Sequence, residues 1–569
     1  MQRVWQGMRR WGWWFVFLMA AVLRLAALNA TPLAPAEAAR ALQAWDAARL
    51  GVWPIATDSA FLLTGNTLLF WLFGPGDGIA RLWPALAGCA LVAVPLRWRR
   101  HIGGPAALAA AGLLAISPLL VFASRQVSGV MPGLLGGALL FTGLLDYRKT
   151  SSYRPTSATA LVVAGVALGL TGGSAFYDLL LTGAFAWGFY RLTMKSAPGL
   201  DWGRLWPALL YGVGGALLIS WGWGMRWGGL AGPVEGLLAW LAEWQPAAAP
   251  NVLMLLVLYE PFTLLLAVVS IVLAAREGQP LPLALGLTTV ALLLLMTLRL
   301  GVTPAATAAA MLPLALLGGQ TLQRLARQAH HFTWIGEGVH TPLACAFWIF
   351  AGLVLARHTA GYRSSGLEFP LVFLIVMIQL FMVGTFAMFV GRAAAARAFF
   401  MATATILLCV QLAFGWGVNF TRAGSPVEPL ITQGASPDLR QLRAVLEDVR
   451  RDRYARDPAF TVALVAGEPE LTAVLRWTLR DLSQLQVTTA WPETTSAAII
   501  VAPEGSTPLH TPDSPWRGLA FTALTSPGLA RPACEHLPSL HCPAPIAWYL
   551  YRRTPENPQL QRAVLWVAP

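Results

Sequence analysis

A few charged side chains beside apolar segments could carry chemistry in this sequence. Glu37 follows the first hydrophobic segment, which ends at about Leu28, and Asp46 lies nine residues further on. A carboxylate held there could act as a general base or orient a metal ion. Glu37 could equally be an ordinary acid in the first turn of a helix, favoured by the helix dipole and weakly paired with Arg40. Asp46 is half a turn out of phase with Glu37, so we expect a solvated charge that pairs with Arg49.

Further candidates lie at or within the apolar segments. Asp58 precedes an apolar run and could either cap its helix or face a substrate. Arg125 stands at the end of a predicted span, where it could reach lipid head groups or bind a lipid phosphate. Glu260 lies deep in an apolar segment, where a charge is costly, so we expect it to face a cavity or a partner and assign it to substrate binding. Asp178 and Arg299 lie nearer span ends and are weaker candidates.

The composition is that of a polytopic membrane protein. Of the 569 residues, 56% are hydrophobic and 12% are charged, and the mean hydropathy is +0.58. Apolar runs long enough to cross a bilayer recur from Trp11 to about Val418. The net charge of +13 comes largely from basic residues in short loops, such as RWRRH at 97–101, which is the positive-inside pattern. We therefore expect a membrane protein that does not bind nucleic acid.

We predict about thirteen spans, with a cytoplasmic N-terminus because most loops on that side then carry Lys or Arg. Residues 29–79 then form a long first external loop, and its apolar segment 61–74 is predicted to be a re-entrant or surface-lying helix. The first segment could instead be a cleaved signal peptide. The predicted spans cover residues 11–28, 80–97, 104–122, 129–147, 157–172, 174–191, 204–222, 250–274, 281–298, 303–318, 342–357, 368–390 and 397–418.

The character of the chain changes after Val418. Residues 420–569 have ordinary polarity, and the amphipathic run 436–454 predicts a helix. The runs TVALVAG (461–467) and AAIIVAP (497–503) predict buried strands, and helical spacing lies between them at 469–482. This order predicts a small α/β domain, which an odd number of spans places outside the membrane.

Two cysteines, Cys534 and Cys542, lie in this C-terminal part. An external location permits a disulfide between them. The neighbouring His536 and His541 leave a tetrahedral zinc site open as the alternative. The other three cysteines lie in predicted spans, where a buried apolar role is expected.

The chain has a long first external loop with an acid just past the first span, and many spans and a soluble domain follow. This arrangement resembles that of the GT-C superfamily of membrane glycosyltransferases. The nearest resemblance is to bacterial and archaeal glycosyltransferase-like proteins described as flippase-activity-associated, and it covers nearly the whole chain. It implies an all-α polytopic membrane domain at 1–419 and an extracytoplasmic α/β domain at 420–569. The resemblance is carried by the stretch 33–51, LLFWLFG (68–74), ARLWPALAGCALVAVPLRWRR (80–100), AALAAAGLLAISPLLVFASR (106–125), and the runs SPDL and LRWTLRDL in the C-terminal part.

Several polar motifs implied by the resemblance are replaced in this chain. Where an Asp-Glu pair is expected, Ala36 takes the place of the aspartate and Glu37 keeps the glutamate. A Ser-Arg pair is kept by Ser124 and Arg125. The replaced motifs are a His-Gly-Pro at Asp58, Ser59 and Ala60, an Arg-Asn-Asp at Ser128, Gly129 and Val130, and a Lys-Glu at Gly172 and Gly173.

The resemblance implies sugar transfer from a polyprenyl-phosphate donor to a glycan, lipid or protein acceptor at the outer face of the cytoplasmic membrane. Glu37 would be the base or a metal-positioning acid with Asp58 assisting, and Ser124 and Arg125 would lie near the lipid phosphate. No cofactor is implied with certainty, and a divalent metal stays open. The alternative is a catalytically degenerate member that binds lipid or glycan, or serves a partner membrane protein. A transporter would account for Glu260, but the inverted repeats that it needs are not visible.

Overall fold

A bundle of apolar helices makes up most of the chain. The computed structural model describes residues 2–149, 156–193, 202–245, 252–299, 301, 303–328, 338–359, 367–453, 461–482, 484–491, 497–506, 516–526, 552 and 558–567. Cys534, Cys542 and their neighbouring histidines therefore lie outside the described residues. The helices of the bundle and its loops are α1 Gln2–Leu25, α2 Pro35–Leu50, α3 Ala60–Phe73, α4 Asp77–Ala80, α5 Leu82–Ile102, α6 Gly104–Ile116, α7 Pro118–Ser124, α8 Val130–Lys149, α9 Thr156–Gly172, α10 Ser174–Thr193, α11 Trp202–Ser220, α12 Gly232–Ala242, α13 Val252–Tyr259, α14 Pro261–Glu277, α15 Pro280–Leu298, α16 Met311–Gln328, α17 His340–Thr359, α18 Glu368–Phe389 and α19 Arg392–Trp416.

The bundle is that of a multi-pass membrane protein, but the count of thirteen spans is not confirmed. Among the described residues, six helices are long and apolar enough to cross a membrane, or eight if each of two bent pairs is one span. Several further predicted spans correspond to shorter apolar helices, as in α9 and α11. The predicted span 303–318 begins as a 3₁₀ helix, Pro304–Ala310, and continues into α16.

Two predicted spans are broken helices, which corrects the sequence-based boundaries. The run 104–122 is divided into α6 and α7 at Ser117 with a bend of 59°, and 250–274 is divided into α13 and α14 at Glu260 with a bend of 103°. Each break comes directly before a proline, Pro118 or Pro261. Proline lacks an N–H and clashes with the preceding turn, so it starts a new helix more readily than it continues one.

Glu260 joins the two breaks. Its side chain is fully buried and accepts hydrogen bonds from the Ser117 hydroxyl, from the Leu119 N–H at 3.2 Å and from the Gln411 amide at 2.9 Å. Thr263 donates a further bond at 3.2 Å. The carboxylate thus accepts one backbone N–H that the start of α7 leaves without a partner, together with three side-chain donors.

The first loop, residues 29–79, contains two helices that pack against each other. Pro35 opens α2, and Gly51 ends it in the left-handed conformation with φ of +67°, a position that suits glycine because it has no Cβ. The apolar segment predicted at 61–74 is α3. Its N-cap is Ser59, whose hydroxyl accepts the Leu62 N–H, and not Asp58.

The C-terminal part forms a six-stranded mixed sheet, as the α/β pattern predicted. The predicted helices and strands are present with slightly shorter bounds. Strand order is β1-β5-β6-β4-β2-β3, with β2 parallel to β3 and β4 and the other pairs antiparallel. The elements are β1 Gly434–Ala435, α20 Asp438–Arg453, β2 Val462–Val465, α21 Pro469–Thr478, β3 Leu485–Thr488, β4 Ile499–Pro503, β5 Arg517–Ser526 and β6 Gln559–Val567.

The first loop and the sheet share one hydrophobic core. Buried side chains of α2 and α3 pack in the same cluster as those of α20, α21 and the central strands. Phe70 of α3 lies with its ring centre 5.8 Å from that of Trp477 in α21. Asp46 bonds Arg476 at 2.9 Å, which corrects the expected pairing with Arg49. The loop is therefore held between the membrane bundle and the sheet.

We expect Glu260→Ala to lower the free energy of unfolding by about 3 kcal/mol or more, because it leaves several buried donors without an acceptor. Thermal unfolding of the purified protein in detergent measures this loss. The matched control is Glu277→Ala, at the exposed end of α14, where the ion pair with Arg324 is worth about 0–1 kcal/mol. Equal melting temperatures for the two variants would contradict a structural role for Glu260.

Candidate functional site

A cavity of about 460 Å³ opens between the helical bundle and the segment that leads into β1. Its walls are formed by the first loop, the turn between α7 and α8, the end of α12 and residues 418–435. Three residues predicted for the site, Glu37, Asp58 and Arg125, therefore lie at one cavity. Its charged lining residues are Glu37, Arg40, Asp58, Arg81, Arg125 and Glu243.

Glu37 is bonded on both carboxylate oxygens. Arg81 donates to Oε1 at 3.1 Å and to Oε2 at 2.7 Å. The Val127 N–H donates to Oε1 at 2.7 Å, and the Ala34 N–H donates to Oε2 at 3.0 Å. Only 7% of the Glu37 side chain is exposed. Although Glu37 lines the cavity, four hydrogen bonds occupy its acceptor oxygens.

These bonds keep Glu37 ionised. Burial by itself would raise its pKa, but the Arg81 guanidinium and the N–H donors outweigh burial and hold the pKa below its usual value of 4.5. Because the pKa is lower in the folded chain, the stabilisation is fully present above about pH 4.5 and is lost as the pH falls through the folded-state pKa. A carboxylate stabilised in its ionised form is a weak proton acceptor.

Arg81 extends the same network to the end of the first helix. Its guanidinium donates to the carbonyls of Leu28 and Thr31, both at 2.9 Å, and to that of Pro32 at 3.2 Å. The Glu37–Arg81 pair thereby joins the chain after α1, the start of α2, the start of α5 and the turn after α7. Sequence reasoning did not single out Arg81, which lies 44 residues from Glu37.

Asp58 is the more accessible carboxylate. It bonds Arg40 at 2.6 Å, and its side chain is 42% exposed. Arg40 also donates to the Val127 carbonyl at 3.0 Å, which fixes the pair against the turn after α7. The expected surface pair between Arg40 and Glu37 is thus replaced by a pair that places Asp58 at the cavity.

Arg125 supplies a cation that is not neutralised by an acid. It donates to the carbonyls of Ala26 at 2.6 Å and Ala27 at 3.0 Å, and lies 4.7 Å from the ring centre of Phe420. Within the described part of the chain, no carboxylate bonds to it. Burial and the charge of Arg81 lower its pKa to about 10, so it remains protonated at neutral pH. An anion in the cavity would find this charge free to bind.

Glu243 is a site residue that sequence reasoning missed. It bonds Arg299, which also bonds Asp178, so one guanidinium serves two carboxylates. Burial raises the pKa of Glu243 to about 7, against the opposing effects of Arg299 and of a hydrogen bond from Ser174. The charges of Asp178 and Asp58 add to the increase in this pKa. The pairing of Arg299 with Asp178 could have drawn attention to this end of the bundle, but no local pattern marks Glu243.

Two predicted substrate-binding residues are not among those that line the cavity. Glu260 lies at the helix breaks described above. Ser124 is fully buried, and its hydroxyl donates to the Leu120 carbonyl within α7 at 2.6 Å. Gly88 of α5 lies so close that a Cβ there would overlap this hydroxyl. The structure therefore separates Ser124 from its neighbour Arg125, and only Arg125 reaches the cavity.

The glycines that replace polar motifs hold α8 close to the turn between α9 and α10. A Cβ on Gly129 would overlap the carbonyl oxygen of Gly172, and one on Gly172 would overlap the backbone of Gly133. Gly173, with φ of +153°, adopts a conformation that side chains disfavour. No side chain fits at these contacts, so the asparagine, lysine and glutamate that the resemblance implied cannot be accommodated here.

The donor set does not fit the divalent metal that the sequence left open. No group of three or more His, Cys, Asp or Glu side chains in the described ranges could hold a metal ion. Each carboxylate at the cavity already bonds an arginine: Glu37 to Arg81, Asp58 to Arg40, and Glu243 to Arg299. A hard divalent cation needs several oxygen ligands that are free to coordinate it.

Comparison with solved structures identifies the fold. The crystal structure of ArnT from Cupriavidus metallidurans bound to undecaprenyl phosphate matches with a TM-score of 0.54 and 17% identity, over 87% of this chain and 93% of ArnT. The apo structure of the same protein matches with a TM-score of 0.55 and 15% identity, over 97% and 98%. A weaker likeness, with a TM-score of 0.47 and 11% identity, over 87% of this chain and 69% of the other, is to the oligosaccharyltransferase AglB from Archaeoglobus fulgidus in complex with an inhibitory peptide and a dolichol-phosphate.

The fold is that of the ArnT structures, which agrees at the level of architecture with the resemblance to the GT-C superfamily. No protein-family model and no curated protein sequence matches the chain. The nearer resemblance to the flippase-activity-associated proteins stays a prediction. At these identities the likeness defines the fold, and the cavity must supply the argument for function.

We expect Arg81→Met to lower the free energy of unfolding by about 3–5 kcal/mol, because Glu37 is left as a buried charge without its partner. The double variant Arg81→Met with Glu37→Gln should be more stable than Arg81→Met alone, since a neutral amide is less costly to bury. Thermal unfolding of the unchanged protein, Arg81→Met, Glu37→Gln and the double variant gives the coupling energy between the two residues. Arg49→Met, at an exposed position of α2, is the control; simple additivity of the two changes would contradict the coupling.

Proposed function

We propose that the chain binds a polyprenyl-phosphate-linked sugar in this cavity and transfers the sugar to an acceptor. The observation that carries the proposal is the charge arrangement: Arg125, a guanidinium without a carboxylate partner, shares one cavity with Asp58 and Glu243. The fold supports the lipid part of the proposal, because one of the similar ArnT structures holds undecaprenyl phosphate.

In this proposal Arg125 binds the phosphate of the donor. Its guanidinium is pre-positioned by backbone carbonyls and keeps its charge at neutral pH, so it can stabilise the negative charge that develops on the leaving phosphate. Arg40 holds Asp58 at the wall of the same cavity, where Asp58 orients the polar groups of the substrate. The aspartate that the sequence lacks at Ala36 is thereby replaced from another part of the first loop.

We assign the role of general base to Glu243. An acceptor hydroxyl attacks the anomeric carbon, its proton passes to the Glu243 carboxylate, and the bond from that carbon to the phosphate oxygen breaks with its electron pair retained by the polyprenyl phosphate. A pKa of about 7 allows Glu243 to accept a proton at neutral pH. Glu37, which the sequence predicted as the catalytic acid, is proposed instead as a positioning residue, because its four bonds favour its ionised form.

The reaction is proposed for the outer face of the cytoplasmic membrane. The distribution of Lys and Arg among the loops supports a cytoplasmic N-terminus and therefore an external cavity and sheet. In that orientation the donor enters from the bilayer, and the acceptor, which is a glycan, a lipid or a protein, approaches from outside. A partner membrane protein could present this acceptor. We also propose that the chain divides into a membrane domain, residues 1–419, and an extracytoplasmic domain, residues 420–569.

Two observations favour a second candidate function, in which the chain binds the lipid-linked sugar without transferring it. They are the replaced polar motifs and the four hydrogen bonds that occupy the Glu37 carboxylate. Purified protein and a panel of undecaprenyl-phosphate sugars distinguish the two. Release of sugar to water or to an acceptor supports the transferase. Saturable donor binding without any turnover supports the binding protein.

We expect Arg125→Gln to weaken the binding of radiolabelled undecaprenyl phosphate by roughly 10–100-fold, the cost of a lost charge-assisted hydrogen bond. Arg276→Gln, which makes the same change at an exposed position at the end of α14, should bind as the unchanged protein does. Equal affinities for the two variants would contradict the proposed phosphate site.

Transfer should accelerate as the pH rises through about 7, because Glu243 accepts a proton only in its ionised form. We expect Glu243→Gln to reduce the rate by roughly 10²-fold or more and to remove this rise. The pH profile of single-turnover transfer measures both effects. Glu504→Gln, an exposed position in the sheet, is the control, and an unchanged profile in Glu243→Gln would rule out the assigned role.

A further inference from the structure

A second opening lies on the other side of the segment that follows α1. It has a volume of about 650 Å³ and is formed by residues 25–33, the turn before α5, and the helices α20 and α21. We call it the arginine cleft, since Arg440, Arg443 and Arg480 line it. Ala27, Leu28 and Pro32 border both this cleft and the cavity described above, so the two are separate sites on opposite sides of one stretch of chain.

The arginine cleft carries an excess of positive charge. Arg443 bonds Asp481, but Arg440 donates to the Asn29 carbonyl, and Arg480 donates to the carbonyls of Trp477 at 2.6 Å and Pro75 at 3.2 Å. Asp77, the acid of the lining, accepts the Trp477 indole N–H at 2.8 Å. Three arginines thus face two aspartates, and in the described part of the chain neither Arg440 nor Arg480 bonds a carboxylate.

One donor in the arginine cleft has no acceptor. The Arg480 Nε is buried and makes no hydrogen bond, while its guanidinium lies 4.0 Å from the ring centre of Trp477. A buried N–H without an acceptor is costly, and an oxyanion is the ligand that a guanidinium binds best. The Trp477 ring and two backbone carbonyls hold this guanidinium at the wall of the cleft without neutralising its charge.

The arginine cleft opens where a lipid-facing surface ends. Exposed apolar side chains on α1 recur at intervals of three or four residues and so form one stripe along the helix. The last of them, Leu25, also lines the cleft. A hydrocarbon chain lying on this stripe would bring its polar head to the arginines. The members of the stripe are Trp11, Trp14, Phe15, Leu18, Val22 and Leu25.

We propose that the arginine cleft binds the phosphate head group of an anionic membrane lipid, whose hydrocarbon chain lies on the stripe of α1. The site is separate from the cavity assigned to the lipid-linked sugar and does not depend on the transfer reaction. The phosphate is recognised by Arg440 and Arg480, and the bilayer is its source, because the apolar stripe leads to the cleft from the membrane.

Native mass spectrometry of the purified full chain tests the proposal. We expect phosphatidylglycerol to be retained roughly tenfold more than phosphatidylcholine, a preference that the double variant Arg440→Gln with Arg480→Gln loses. The double variant Arg450→Gln with Arg451→Gln removes two exposed arginines from the same helix, α20, and should keep the preference. Retention of phosphatidylglycerol by the first variant at the level of the unchanged protein overturns the proposal.

Two further measurements separate the alternatives. Glycerol 3-phosphate, which has the phosphate without the chains, should compete only weakly; competition as strong as that of phosphatidylglycerol would show a free-phosphate site and overturn the lipid assignment. The single variant Arg440→Gln alters an exposed side chain that makes one backbone bond, so it should fold normally and still lose part of the preference. An unchanged preference in that variant, at an unchanged melting temperature, also overturns the proposal.

Discussion

The buried ion pair of Glu37 and Arg81 is the interaction on which the rest of the site depends. Burying two charges is costly, and such a pair is sustained only when its remaining donors and acceptors are satisfied. Here the backbone satisfies them: two N–H groups bond Glu37 and three carbonyls bond Arg81. The pair thereby sets the positions of the chain after α1, the start of α2 and the turn that follows Arg125.

This arrangement explains how the chain can keep the architecture of a GT-C enzyme while its motifs differ. The glutamate of the expected first-loop pair has become part of the scaffold, and the carboxylates with more freedom, Asp58 and Glu243, come from elsewhere in the fold. At the same time, glycines at the contact of α8 with the α9–α10 turn close the space where other polar groups were expected. As a result, the cavity that contains Arg125 is lined by Asp58 and Glu243 and not by the expected motifs.

The shared core of the first loop and the sheet has a further consequence for the polar groups between them. Because α2 and α3 are buried against α20 and α21, the segment after α1 is held from both sides and borders two separate openings. The cavity of the candidate site contains both acids and arginines, whereas the arginine cleft contains mainly arginines. In the two proposals made above, this division lets two anionic molecules bind without competition.

The sequence by itself determined the membrane class, the helix and strand pattern of the C-terminal part, and the candidates Glu37, Asp58 and Arg125, because hydropathy, periodicity and position along the chain are local properties. It did not reveal the breaks at Ser117 and Glu260, because the sequence stays apolar where the helix changes direction. Only Pro118 and Pro261 indicate these breaks in the sequence. It also did not reveal Arg81 and Glu243, or the pairing of Asp46 with Arg476. Only the tertiary structure decided which charge meets which, because those partners are far apart in sequence and meet only when distant helices pack.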